Sequence, residues 1–112
     1  MDMMIEQLDN GVTRVTLVGQ MDLAGAQQID TRFSAVSGGS DKVLVDLSEV
    51  GFLASMGIRT IVMGAKTISS KGGKMVLFRP NADVEKVLLS SGIDTLVPIA
   101  HDLETAQAKL FG

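Results

Sequence analysis

Between Lys42 and Ile68 the chain changes its hydrophobic period, and that change restricts the fold more than any other feature. Lys42-Val43-Leu44-Val45-Asp46 opens a short apolar and β-branched run, the pattern of a strand buried on both faces, so a strand is predicted at residues 42–47. From Ser55 onward, Ile58, Ile61, Val62, Ala65 and Ile68 recur every three or four residues. They form one apolar stripe on a helix that runs from Ser55 to about Lys71. A buried strand that feeds an amphipathic helix lays that helix back on a sheet, which points to an α/β domain.

The flanking stretches repeat the alternation. Met3 to Leu8 and Val12 to Val18 read as paired strands, because Asp9-Asn10-Gly11 between them carries Asn-Gly, a hairpin signal whose residues tolerate positive φ. Gly19-Gln20-Met21 is expected to break the second strand, and Asp22 to cap a helix whose inward face is Leu23, Ala26, Ile29, Phe33 and Val36. Ser37-Gly38-Gly39-Ser40 ends it. After Gly72-Gly73 stops the central helix, Lys74 to Phe78 is another buried strand. Pro80-Asn81 opens a third helix bearing Val84, Val87 and Leu88, closed by Ser90-Ser91-Gly92. Thr95 to Ile99 reads as a short strand that Pro98 confines to a sheet edge, and Asp102 starts a last helix with Leu103, Ala106 and Leu110 facing in. The predicted order is ββαβαβαβα: one domain with a mixed, mostly parallel sheet of four to five strands and about four helices.

Composition removes several function classes. The chain of 112 residues has no cysteine, which excludes disulfides, thiol catalysis and cysteine-bound metals. A net charge of −3 without a basic cluster argues against a nucleic-acid surface. Arg59 and Lys66 interrupt the longest apolar candidate for a membrane span, and Met1-Asp2-Met3-Met4 lacks the form of a secretory signal, so a cytoplasmic protein with no membrane insertion is expected. A lone histidine, His101, reads as a capping or surface residue, with no second one to complete a metal site or a nucleophile–base pair. No enzymatic activity, metal or cofactor is expected. Gly72-Gly73-Lys74 lacks the rest of a phosphate loop and reads as a helix stop.

Ser55 is the residue to single out. It lies where a helix leaves its first N–H groups unpaired and its dipole positive, so it is either the N-cap or a residue positioned for phosphorylation. On the helical wheel Met56 and Met63 fall opposite the apolar stripe, as adaptable contact residues or as packing under a neighbouring loop. Gly57 and Gly64 share a flank that another backbone can approach. Asp22 and Asp46 are expected near the same end of the sheet, as a cap and a strand-end turn residue or, less favoured, as a pair of acids for Mg²⁺.

Val18-Gly19-Gln20-Met21-Asp22, Val45-Asp46-Leu47-Ser48-Glu49-Val50-Gly51-Phe52, Ser55 with Gly57, Gly72-Gly73 and Ser91-Gly92-Ile93 follow one another in an order and spacing that resembles the STAS domain family, and bacterial anti-sigma factor antagonists in particular. The resemblance spans nearly the whole chain. It implies a switch protein that, when unphosphorylated, binds an anti-sigma factor with serine kinase activity. Phosphorylation at Ser55 would release that partner, and a PP2C-type phosphatase would restore the serine. It also implies a partner-binding face of Asp22, Ala54, Ser55, Met56, Gly57, Arg59, Thr60 and Met63. Ala54-Ser55-Met56-Gly57 departs from the family's Asp-Ser-Ser/Thr-Gly at two positions. Those departures favour an alternative, a constitutive STAS subunit of a signalling scaffold or a lipid-transport ATPase complex.

Overall fold

The computed structural model describes residues 1–112. Its elements are β1 (Asp2–Gln7), β2 (Thr13–Met21), α1 (Leu23–Gly39), β3 (Lys42–Leu53), α2 (Ser55–Ser70), β4 (Lys74–Phe78), α3 (Ala82–Ser91), a 3-10 turn (Ile93–Thr95), β5 (Ile99–Ala100) and α4 (Leu103–Phe111). The five strands form one sheet in the order β1-β2-β3-β4-β5. The β1–β2 hairpin is antiparallel and every other pair is parallel, so the predicted mixed sheet and element order hold.

Central strands alternate between two buried faces, which is why their sequences read as unbroken apolar runs. Val43, Val45 and Leu47 belong to the larger core with Ile29, Phe33, Ile61, Ile68, Val84 and Leu88, so this core joins the sheet to α1, α2 and α3. Leu44, Val76 and Phe78 face the other way and pack with Ala106 and Leu110 of α4.

Several boundaries differ from the sequence reading, each for a physical reason. Gly19-Gln20-Met21 does not break β2; the strand absorbs it through two register shifts, between Thr16 and Val18 and between Gly19 and Gln20. Residues 48–53, beyond the strand predicted at 42–47, extend β3 to Leu53, which pairs with Met21. Because β4 ends at Phe78, this extension has β2 as its one strand neighbour, and Ser48, Glu49 and Phe52 can face solvent. Gly38 and Gly39 stay helical, with Ser40 as the C-cap. The Thr95–Ile99 strand gives way to the 3-10 turn and a two-residue β5 at the sheet edge, with Pro98 outside the strand. In the hairpin only Gly11 takes positive φ, at 86°. Leu23 and Leu103, expected inward, are exposed, since each sits in a first turn that overhangs the core.

Candidate functional site

The C-terminal end of β2 organises the region around Ser55. The Met21 carbonyl accepts from the Ala54 N–H at 3.0 Å, which ties the start of α2 to the start of α1. Each helix closes on this strand end through the third residue of its first turn. At Gly25 an added Cβ would lie 2.0 Å from the Gln20 carbonyl oxygen; at Gly57 it would lie 2.8 Å from the Met21 carbonyl oxygen and 2.7 Å from both the Leu53 and Met21 side chains. Both glycines are therefore needed for approach rather than for an unusual φ.

Asp22 caps α1 as predicted, its carboxylate accepting from the Gly25 N–H at 2.8 Å. Asn81 and Asp102 do the same for α3 and α4. The start of α2 differs from the cap reading of Ser55: the N-cap is Ala54, in extended conformation with no side-chain hydrogen bond, and Ser55 is the first helical residue. The residue is exposed. Ala54 cannot supply the side-chain oxygen that the other caps use, so the first N–H groups of α2 have no side-chain acceptor.

Met56, Arg59 and Met63 are exposed on the same side of α2, as the wheel requires; Met56 is 38% and Met63 56% exposed. With Thr60 they form one wall of a shallow groove whose other wall is Ala26, Gln27, Asp30 and Thr31 of α1. Two members of the expected partner face lie inside the protein. Gly57 is buried against Met21 and Leu53, and Thr60 is buried with its hydroxyl donating to the Met56 carbonyl at 3.0 Å. Gly64 shares that flank: an added Cβ would meet the Phe33 ring at 2.6 Å and the Ser37 Oγ at 2.9 Å, so α1 side chains crowd it, whereas at Gly57 it is the Met21 backbone that comes close. Sequence reasoning missed Phe52 and Leu23, 52% and 53% exposed at the ends that border this site. The only available signal was a large apolar residue beside a strand-to-helix junction.

Asp46 is not part of the site. The side-chain alternation of β3 turns it to the α4 face, where it is buried and paired with Arg14 at 2.6 Å, while Arg14 also lies over the Phe78 ring. Leu53 lies seven positions further along the strand, on the order of 20 Å away, so the two-acid Mg²⁺ arrangement with Asp22 does not form. Burial pushes the Asp46 carboxyl up, but the Ser48 backbone N–H and the Arg14 guanidinium outweigh it and hold its pKa below the ordinary 3.8. A depressed folded pKa contributes stability that is complete above the unfolded value and is lost as pH falls through the folded one. Urea unfolding between pH 5 and pH 2 is expected to show a shallower loss of stability for Asp46→Asn than for wild type, and equal slopes would contradict this assignment. His101 is exposed and pairs with Glu85 at 3.0 Å, a surface role as expected.

No helix is long and apolar enough to cross a membrane. No group of three or more His, Cys, Asp or Glu side chains is arranged to hold a metal.

The family model of the STAS domain matches residues 3–106. A Bordetella bronchiseptica protein described as a candidate anti-sigma factor antagonist, BtrV, is 28% identical over 109 residues, covering 96% of this chain and 93% of its own length. Among solved structures, an anti-sigma factor antagonist from Mycobacterium paratuberculosis superposes with a TM-score of 0.88 at 21% identity, covering 99% of this chain and 94% of that one. The Bacillus cell fate determinant SpoIIAA in its phosphorylated form superposes at 0.72 with 18% identity, covering 96% and 98%. At these identities the structural matches speak for the fold, which agrees with the mixed sheet and four helices described above. The family model covers nearly the whole chain, and the chain belongs to the STAS domain family.

Proposed function

We propose that this protein is a non-enzymatic anti-sigma factor antagonist that works by partner switching. Unmodified, it binds an anti-sigma factor that is also a serine kinase, through the exposed side of α2 at Ser55, Met56, Arg59 and Met63. The kinase transfers the γ-phosphoryl group of ATP to Ser55: the bond from phosphorus to the serine oxygen forms, the bond to ADP breaks, and the hydroxyl proton leaves to a base or to water. The phosphorylated form lets the partner go, and a PP2C-type phosphatase resets it. The observation that carries this reading is the exposed Ser55 in the first turn of α2, on a helix that also exposes Met56 beside it and Met63 further along. The description of the Bordetella relative, and the existence of this fold in a phosphorylated SpoIIAA, support it.

Incubation with the cognate kinase and MgATP is expected to add one phosphate to wild type and none to Ser55→Ala, read by intact mass and site mapping. Phosphate retained on Ser55→Ala would move the acceptor elsewhere and overturn the assignment.

The second reading, a constitutive subunit of a scaffold or transport ATPase complex, rests on Ala54 and Met56, which remove a carboxylate and a hydroxyl beside the acceptor. Co-purification with an ATPase transporter, and no small kinase, would favour it.

A further inference from the structure

Arg59 stands one helical turn beyond Ser55 on the exposed side of α2. That spacing puts the two Cβ atoms about 6 Å apart, and helical side chains lean toward the N-terminus, so the first turn is within reach of the guanidinium. The two ion pairs of the chain use Arg14 and His101, which leaves Arg59 without an acidic partner. The next cation along the helix, Lys66, is about two turns further on, beyond reach of Ser55.

Resting on the reading of Ser55 as the modified residue, we propose that Arg59 is the internal counter-ion of the Ser55 phosphoryl group. A planar fork of N–H donors matches phosphate oxygens two at a time, which a lysine at this position would not do. In the unmodified protein Arg59 is free to meet an acidic group of the partner. After modification the phosphoryl group holds it. The switch then withdraws a cation from the binding face in the same event that adds an anion to it, so one modification changes the face twice. The acids of α1 on this side are Asp22, the cap of a helix whose start is tied to Ala54 through Met21, and Asp30, which lines the groove with Arg59. Both oppose the phosphate dianion, and neither is altered by substitution at Arg59.

The test places phosphoserine at position 55 by encoded incorporation and follows its second ionisation by phosphorus-31 NMR at low salt. With Arg59 present the phosphoserine pKa is expected to fall about 0.4 unit below that of Arg59→Gln. Arg59→Lys is expected to keep part of the shift, and molar salt to remove it. Titration curves that coincide for Arg59 and Arg59→Gln would overturn the proposal, and so would a shift that persists undiminished in molar salt. Arg59 is exposed, so its variants are expected to fold; should Arg59→Gln fail to, the salt dependence of wild type and the Arg59→Lys comparison decide the matter alone. No kinase enters this experiment. A kinase that ignores Ser55 therefore sinks the functional reading and leaves the pairing intact, whereas coincident titrations sink the pairing alone.

Discussion

Gly57→Val is expected to lower the thermal unfolding midpoint by about 10–15 °C, from a loss of about 2–3 kcal/mol. A Cβ at this position falls within 2.8 Å of the Met21 carbonyl oxygen, a backbone atom already engaged by the Ala54 N–H, and within 2.7 Å of two core side chains. The side chains can turn aside at some cost; the carbonyl cannot move without pulling the end of β2. The helix must therefore tilt away, and Ser55 and Met56 go with it. Gly57→Ala should cost less, because alanine recovers about 1 kcal/mol of helix propensity against the same clash. Differential scanning calorimetry checks both. A midpoint within 2 °C of wild type for Gly57→Val would show that the α2 start is not seated on β2 as described.

Phosphorylation of Ser55 is expected to leave the fold intact and to weaken the partner complex by a factor of about 100 or more. In the free protein the phosphoryl group stays in water beside an uncapped helix start, so its roughly two negative charges meet no desolvation cost and some favourable field. The unfolding midpoint should stay within about 2 °C of the unmodified chain. Inside an interface built on Met56 and Met63 the same charge must lose its water against apolar surface, and a hundredfold loss needs only about 2.8 kcal/mol. The asymmetry is the switch: one group costs little in the free state and much in the bound one.

The fold was largely legible because the chain writes its two periods clearly. Val43, Val45 and Leu47 on one face, with Leu44 on the other, could only be a strand covered on both sides, and the stripe from Ile58 to Ile68 could only be a helix on that sheet. Asp22, Asn81 and Asp102 announced three helix starts through their chemistry, and all three make the cap bonds. The long tail of β3 was not legible. Ser48, Glu49 and Gly51 have turn composition, and they lie in a strand because β2 outlasts β4 and offers a ladder there. That is a tertiary fact with no local signal.

At the site, the outward turn of Met56 and Met63 followed from helical period alone. The burial of Gly57 and Thr60 did not, since it depends on α1 and on the end of β2. Asp46 misled for a related reason. A carboxylate near the end of an apolar run resembles a turn residue, and only the partner Arg14 on the neighbouring strand reveals it as half of a buried ion pair.

The central claim, that a partner covers the Ser55 side of α2 and a phosphoryl group there dismisses it, is tested most directly by calorimetric titration. The kinase partner would be titrated into the unmodified chain and into the chain carrying phosphoserine at position 55. The account predicts binding in the first case and at least a hundredfold weaker binding in the second, both chains unfolding at the same temperature. Equal affinities would contradict it.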